Sequence, residues 1–441
     1  MTDMRGLEQS SLCTLTATDL VRRLAARDIT PEALLEACLS RIALREPQVC
    51  AWAWHDPEAA RHQLRGLPVD GAGLPLFGLP VGVKDIIDTR DMPTQYGSRA
   101  YAANRPIRDA VVVSRLKAAG AIVMGKTVTT EFAHVHAGPT VNPHNAAHTP
   151  GGSSSGSAAA VADFMVPLAL GTQTGGSTIR PAAFCGIVGF KPTYGDIALD
   201  GVLPLAHTMD TMGIHARTVA DVMLLYPILS GRLVPRPAAP GRLRIVWHPG
   251  PHADEADDDA RQALLAAREI LTEGGVEFVD VELPHGDLAA MSRANRLIMA
   301  YEASRQHRAL FQATPELLGA ATCTLIETGL GIDPAQYEQE LEGVARCRRV
   351  FEQAMQGVDA LMTFSAPGQA PVREAGTGAS TFNRIWTTIG APCLTIPAGR
   401  GAMDLPVGVQ FVSGCGRDQH LLELGLRVEA MLGSMNKRRP V

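Results

Sequence analysis

The alternation of apolar and polar positions along the chain predicts helices and short buried strands in mixed order. Residues 18–45 read as two helices, and Thr30 followed by a proline supplies the N-cap and N1 positions of the second. Apolar runs too short for helices predict buried strands, at residues 78–88, 121–125, 243–247, 276–281 and 393–397. Residues 256–273 read as an acid-started helix between two of these runs. This β-α-β order favours an α/β fold with a parallel or mixed sheet.

The longer stretches between these strands complete the predicted order of elements. Residues 110–119 read as a helix that ends at Gly120, and residues 158–162 favour helix by composition. Residues 129–152 are loop-like, and residues 286–357 are mostly helical in pattern. The chain has no internal repeat and no obvious linker between domains. We therefore predict one domain that spans about residues 8–436.

Composition narrows the range of partners. Hydrophobic residues make up 46% and charged residues 19% of the 441 positions, which is ample for a core and not typical of disorder. The net charge is −5, from 40 basic and 45 acidic residues. That balance argues against nucleic-acid binding by phosphate neutralisation. We expect a small molecule or a protein as the partner.

The sequence gives no clear signal for secretion, for a membrane span or for a disulfide framework. The N-terminus has no apolar segment of the secretory type, and the apolar stretch 158–170 is interrupted by Asp163 and Pro167. A membrane span needs roughly 20 apolar residues, so none is expected. The eight cysteines are scattered without a CxxC pair, which implies neither a disulfide framework nor a zinc ribbon. A reducing cytoplasm is the expected location.

Several short motifs occur without the structural setting that they require. Residues 120–127 match the phosphate-loop pattern, but the variable positions are strand-like and a helix precedes them. Residues 152–156 match GxSxG, but a proline-containing loop leads into them instead of a strand. Four histidines occur within fifteen residues: His134, His136, His144 and His148. No carboxylate or cysteine completes a ligand set with them, so we predict loop histidines, no metal site and no cofactor.

A different group of residues supports one chemistry. Ser153 and Ser177 each follow glycines, and Lys84 lies between apolar residues on a predicted strand. After Gly175 and Gly176, successive backbone N–H groups can turn toward one point and bind an anion. Burial lowers the pKa of a lysine, which would allow Lys84 to accept a proton from a serine. These are the parts needed to attack a carbonyl without histidine, although a tight turn and an edge-strand lysine would also fit.

Four segments between residues 78 and 194 resemble the amidase signature family. They are GLPVGVKDIIDT, AIVMGKTVTTEFA, PGGSSSGSAAAVA and GTQTGGSTIRPAAFCGIVGFKPT, and the tail APCLTIPAG near residue 397 also fits. The 24-residue spacing between Ser153 and Ser177 agrees with the family pattern. The resemblance implies an α/β amidase signature fold, a single domain with a central mixed β-sheet flanked by helices on both faces.

The resemblance also implies site residues. Ser177 would be the nucleophile, Ser153 the bridging serine after a cis peptide bond, and Lys84 the terminal base. The N–H groups of Thr174, Gly175, Gly176 and Ser177 would form the oxyanion hole. Two departures concern the hydrogen bonds around this nest. Gln173 stands where the family often has Asp, and Arg180 follows the nucleophile by three residues instead of two.

The implied function is hydrolysis of the C–N bond of a small carboxamide or related amide, through a Ser177 acyl-enzyme. The alternative is the glutaminase subunit of a tRNA-dependent amidotransferase, which shares this core. Such subunits usually carry an acidic residue that holds the amino group of glutamine, and residues 380–384 contain none. A catalytically inactive binding protein of the same fold is disfavoured, because both serines and the lysine are present.

The substrate pocket is expected within the variable region 285–390. Phe382 and Trp386 are candidate wall residues, although each could equally belong to the core. Arg384 would meet a substrate carboxylate or face solvent. The expected partner is a small-molecule amide, with no nucleic acid and no membrane, and the resemblance implies a homodimer as one assembly.

Overall fold

The computed structural model describes residues 12–69, 71, 73–232 and 241–436. The α-helices in these ranges are α1 Ala17–Ala25, α2 Pro31–Val49, α3 Pro57–Arg65, α4 Val111–Ala118, α5 Ser155–Ala162, α6 Ile179–Cys185, α7 Val219–Ser230, α8 Asp258–Glu273, α9 His285–Ala313, α10 Ala320–Leu330, α11 Pro334–Ala354, α12 Thr381–Thr388 and α13 Asp418–Asn436. The strands are β1 Trp52–His55, β2 Pro80–Lys84, β3 Ile122–Thr127, β4 Leu168–Gln173, β5 Val188–Lys191, β6 Thr211–Ala216, β7 Arg244–Trp247, β8 Glu277–Val279, β9 Ala360–Phe364, β10 Cys393–Arg400 and β11 Pro406–Val412.

The strands form one mixed sheet in the order β1-β3-β2-β4-β6-β5-β10-β11-β9-β7-β8. Strand β2 is parallel to both β3 and β4, and β7 is parallel to both β8 and β9. The six other pairings are antiparallel. The predicted mixed sheet is confirmed, and so is its single-domain α/β class.

The central strands are covered on both faces. Every residue of β2, β3, β4 and β6 is buried, although successive side chains point to opposite faces of a sheet. Such burial requires helices on both sides, as predicted. Charged groups in these strands therefore lie in a region with little access to water, and Lys84 is the last residue of β2.

Several local predictions are confirmed at close to their predicted bounds. Thr30 caps α2 by accepting a hydrogen bond from the N–H of Ala33, and Pro31 opens that helix. Strand β7, helix α8 and strand β8 form the predicted β-α-β unit. The strand predicted at 78–88 is shorter than expected, because the chain turns after Lys84, where the N–H of Ile87 donates to the Lys84 carbonyl.

Residues 120–127 do not form a phosphate loop. Gly125, Lys126 and Thr127 lie within strand β3, and Lys126 is buried in the protein. A phosphate loop would instead connect a strand to a helix. Residues 8–11 of the predicted domain lie outside the described residues. Among the helices that are described, none is long and apolar enough to cross a membrane.

Candidate active site

Lys84 lies at the end of β2 and is completely buried. Its Nζ donates hydrogen bonds to Ser153 Oγ and to Thr172 Oγ1, each at 2.8 Å. Burial lowers the pKa of Lys84 to about 7, and the negative charge of Asp210 opposes part of that shift. A substantial fraction of Lys84 is therefore neutral near pH 7 and can accept a proton.

Ser153 belongs to the loop that leads into α5. The peptide bond between Gly152 and Ser153 is cis. A methyl group at Gly152 would lie 2.7 Å from Thr377 Cγ2, so this position has no room for a larger residue. The loop adjoins the turn that follows β4, because the N–H of Ser154 donates to the Ser177 carbonyl at 3.4 Å. Ser153 therefore lies against Lys84 on one side and follows a tightly packed glycine.

Ser177 lies in the turn between β4 and α6 and is 7% exposed. Gln173 organises this turn. Its Oε1 accepts the N–H groups of Thr178 and Ile179 at 2.9 and 3.0 Å, and its Nε2 donates to Thr387 Oγ1 at 2.9 Å. The amide side chain thus caps α6 and ties the turn to α12. Although Gln173 departs from the family pattern, its side chain makes hydrogen bonds on both sides of the turn.

The backbone of this turn is open to a bound anion. Thr174, Gly175, Gly176 and Ser177 line one cavity, and no hydrogen bond joins the N–H groups of the last three to another described residue. A methyl group at Gly176 would lie 2.5 Å from Asn383 Oδ1, so only glycine fits there. Adjacent free N–H groups in a water-poor turn are suited to stabilise an oxyanion.

Asp210 fixes the start of the same turn. This buried carboxylate accepts hydrogen bonds from the Thr174 hydroxyl and from the N–H groups of Leu205 and Ala206, the latter two at 2.8 and 3.0 Å. Burial raises the pKa of Asp210 to about 6, so it is largely ionised at neutral pH. Its charge acts on Lys84 and its hydrogen bond holds Thr174, which couples Lys84 to the turn.

The Arg180 side chain forms hydrogen bonds to two neighbouring loops. Its guanidinium donates to the carbonyl of Gly152 at 2.6 Å, to that of Gly378 at 2.7 Å and to Thr377 Oγ1 at 3.3 Å. Burial lowers the pKa of Arg180 to about 9, so it stays charged at neutral pH. Arg180 therefore joins the loop before Ser153 to the loop before α12.

The cavity next to Ser177 has a volume of about 120 Å³. Its lining comes from five parts of the chain: residues 133–135, the turn after β4 with Arg180, Leu205, helix α9, and residues 378–384 at the start of α12. The polar lining residues are His134, Thr174, Ser177, Arg180, Asn295, Ser380, Thr381 and Arg384. A second cavity of about 810 Å³ has described lining residues between Val21 and Phe77, and none of these is a serine or the lysine discussed above.

Phe382 and Trp386 do not line the cavity beside Ser177. They are 4% and 1% exposed, with ring centroids 4.9 Å from Phe364 and 5.7 Å from Phe351 respectively. Both side chains therefore belong to the aromatic core beneath α12. The residues of this segment that do line the cavity are Ser380, Thr381 and Arg384.

The histidines of the loop 129–152 act separately. His144 Nε2 lies 3.0 Å from the Cys185 carbonyl, and His148 Nδ1 lies 2.7 Å from the Ala370 carbonyl. His134 lines the cavity, and burial lowers its pKa to about 4, so it is neutral. In the ranges that the structure describes, no group of three His, Cys, Asp or Glu side chains is placed to hold a metal ion.

Three polar contributors were not singled out from the sequence: Thr172, Asp210 and Asn295. Thr172 precedes the glycine motif by three residues, but β4 is buried on both faces and shows no alternation that would have singled it out. Asp210 and Asn295 have no local motif. Asn295 donates from Nδ2 to the Thr174 carbonyl at 3.0 Å, across a sequence separation of 121 residues.

Comparison with known proteins agrees with this architecture. The family model for Amidase matches residues 33–422. A glutamyl-tRNA(Gln) amidotransferase subunit from Chloroflexus aggregans is 33% identical, over 93% of this chain and 95% of that protein. The corresponding subunit from Cutibacterium acnes is 32% identical, over 96% of each chain.

Solved structures show the same fold. A crystal structure of an amidase superimposes with a TM-score of 0.87 at 32% identity, covering 94% of this chain and 99% of that one. Native peptide amidase from Stenotrophomonas maltophilia gives a TM-score of 0.81 at 28% identity, covering 95% and 97%. Fold and sequence together define the class of the protein as an amidohydrolase. The chain belongs to the amidase family, of the amidase signature type.

Proposed function

We propose that this protein is a freestanding amidase that hydrolyses a small carboxamide through an acyl-enzyme on Ser177. The observation that carries the proposal is the buried contact between Lys84 Nζ and Ser153 Oγ at 2.8 Å. A neutral lysine bonded to a serine, with a second serine in an adjoining glycine turn, is suited to remove a proton from that second serine. Ser177 would then be the nucleophile, Ser153 the relay and Lys84 the base.

In the first half of the reaction, Ser177 Oγ attacks the amide carbon and its proton passes to Ser153, whose own proton passes to Lys84 Nζ. The electron pair of the C=O bond moves to the oxygen, where the N–H groups of residues 174–177 stabilise the charge. When the C–N bond breaks, the relay returns a proton to the leaving nitrogen. Ammonia or an amine departs, and an ester to Ser177 remains.

Water completes the cycle by the same path. It attacks the ester carbon while its proton moves through Ser153 to Lys84, and the second oxyanion occupies the same turn. Collapse breaks the bond to Ser177 Oγ, which regains its proton from Lys84 through Ser153, and the carboxylic acid product leaves and loses its proton to solvent. The other protons pass among Lys84, Ser153 and Ser177, so the cycle needs no further cofactor.

The test is the variant Ser177→Ala. We expect ammonia release from simple amides to fall to background and labelling by a fluorophosphonate to disappear, because both need the Ser177 oxygen. Ser114→Ala is the control, since Ser114 is exposed and lies outside the cavity lining. Continued labelling of Ser177→Ala would refute the assignment of the nucleophile.

The second candidate is a glutaminase subunit, and the names of the curated relatives favour it. Glutamine carries an α-ammonium group, which a buried site would need to pair with a carboxylate. None of the described residues that line the cavity is acidic, and Ser380, Thr381 and Arg384 occupy the segment concerned. Ammonia release from simple amides by the purified chain alone, at rates above those with glutamine, would favour the freestanding amidase.

Assembly and location stay predictions. A homodimer and a cytoplasmic location are the expectations, and the amidotransferase assembly implied by the names of the relatives describes those proteins. Size-exclusion chromatography of the purified chain distinguishes a monomer from a homodimer.

A further inference from the structure

Arg384 presents a positive charge to the cavity without a partner of its own. Arg384 is one of the residues that line the cavity. Its Nε atom is buried and has no hydrogen bond to a described residue. Within the described ranges, no Asp or Glu lies within ion-pair distance of it. Burial lowers the pKa of Arg384 to about 10, and the neighbouring charge of Arg296 adds to that effect, while Glu255 opposes it. Arg384 therefore stays charged at neutral pH, at a cost in desolvation that a bound anion would offset.

The other arginine of the cavity differs from Arg384. The two terminal nitrogens of Arg180 donate to two backbone carbonyls and to Thr377, so this side chain organises loops and adds positive charge. Its Nε, like that of Arg384, is buried without a hydrogen bond to a described residue. Glu255 is exposed, accepts a hydrogen bond from Thr381 Oγ1 at 2.8 Å and lies outside the lining. The cavity thus holds two arginines and, among its described lining residues, no carboxylate. A neutral ligand would leave this charge uncompensated.

Asn295 supplies a second unpartnered group in the same cavity. It is fully buried, and its Oδ1 has no hydrogen-bond partner in the described part of the chain. Its Nδ2 donates to the Thr174 carbonyl, which can only accept, so the orientation of the amide is determined by that bond. The Oδ1 atom is therefore a free acceptor close to Gly175, and it would bind an N–H donor, not an anion.

Arg384 and Asn295 both lie close to Gly175 of the glycine turn. A methyl group built on Gly175 would lie 3.6 Å from Arg384 Cγ, 3.6 Å from Asn295 Oδ1 and 3.7 Å from Ser380 Oγ. The space in front of Gly175 is therefore shared by a cationic side chain, an N–H acceptor and a hydroxyl. One small molecule in that space would contact all three.

We propose that the substrate is a short carboxamide that also carries a carboxylate, and that Arg384 binds this carboxylate and thereby determines specificity. The inference rests on the proposed function and adds the substrate class. The amide N–H groups face Asn295 Oδ1, the carbonyl carbon faces Ser177, and the acid points to the guanidinium. A cavity of about 120 Å³ is well below the roughly 300–1,000 Å³ of pockets for drug-sized ligands, so the acyl chain is short.

The experiment compares two amides that differ only at the far end. Succinamate carries a carboxylate where butyramide carries a methyl group, and malonamate and glutaramate bracket its length. We expect kcat/KM of the natural chain to be at least about tenfold higher for the best acid than for its neutral analogue. In Arg384→Leu, the ratio of kcat/KM for succinamate to that for butyramide falls by about 10- to 100-fold.

Two further variants separate recognition from folding. Arg384→Lys keeps the charge but loses the planar fork, so we expect it to retain part of the preference. Arg308→Gln removes an exposed arginine of α9 that lies outside the cavity lining. We expect it to leave kcat/KM for both substrates unchanged. The proposal would be overturned if the natural chain preferred butyramide. It would also be overturned if Arg384→Leu lowered kcat/KM equally for both substrates.

A binding measurement decides the inference without turnover. Calorimetry on Ser177→Ala should detect succinamate, and adding Arg384→Leu should weaken that binding by at least about tenfold. If the natural chain itself released no ammonia and were not labelled by the fluorophosphonate, the proposed function would be refuted but carboxylate binding would not. If succinamate bound equally well with and without Arg384→Leu, the proposed substrate class would be refuted, but the assignment of Ser177 as the nucleophile would not.

Discussion

Two completely buried lysines lie on neighbouring parallel strands and have different surroundings. Lys84 ends β2, and Lys126 lies in β3 opposite Val83. Lys84 contacts two hydroxyls, whereas Lys126 lies 3.6 Å from the Asp85 carboxylate, donates to Thr94 Oγ1 at 2.7 Å and contacts the Ile87 carbonyl. Burial lowers the pKa of Lys84 to about 7 and that of Lys126 to about 8.

The difference teaches that burial alone does not make a lysine a base. Lys126 is paired with a carboxylate that needs its positive charge, so losing the proton would leave Asp85 buried and uncompensated. Lys84 has no contacting carboxylate, and the serine beside it can both give and take a proton. We infer that Lys84 has the surroundings of a proton acceptor and Lys126 those of a structural ion pair.

The largest expected effect separates the two lysines by activity. Lys84→Met should reduce kcat for amide hydrolysis by about 10³-fold, because a general base contributes roughly 10² to 10⁴. The thermal midpoint should not fall, since the substitution removes a buried amine that has no contacting carboxylate. Ammonia release and a melting curve measure the two effects. A variant that keeps its activity would contradict the assignment of Lys84 as the base.

The next effect is on stability. Lys126→Met should lower the free energy of unfolding by about 3–5 kcal/mol, because it leaves the Asp85 carboxylate without its partner. Denaturant unfolding measures this loss. The double variant Lys126→Met with Asp85→Asn is the control and should recover much of it, since the buried charge is then gone. Equal stability of the single and double variants would show that the pair is not coupled.

The smallest effect concerns pH. The proposed base Lys84 would have to be neutral to act, so kcat/KM should fall tenfold per unit below a pH of about 7 and level off above it. The Asp210 anion raises the pKa of Lys84, so Asp210→Asn should lower that pKa and move the rising limb to lower pH, by up to about one unit. A pH profile of kcat/KM for both proteins tests the sign. A limb that moves to higher pH would exclude this role for Asp210.

Local patterns were enough to predict much of the fold. The Thr30 cap, the β7-α8-β8 unit and the mostly helical character of 286–357 follow from turn chemistry and periodicity, which act over a few residues. Strands such as β4 and β11 were not predicted. A strand that is buried on both faces shows no alternation, so its apolar run does not distinguish it from a short helical segment.

The sequence by itself determined the family and the chemical parts of the site, because the lysine, serine and glycine motifs are contiguous segments. It also indicated burial of Lys84 through its apolar neighbours. Only the tertiary structure decided which side chains surround those parts. In the segment 380–386, the helix α12 turns Arg384 toward the cavity and Phe382 and Trp386 toward the core. The reason is physical: helical spacing determines which residues share a face, but packing against distant elements, here β9, α11 and the turn after β4, decides which face meets the site.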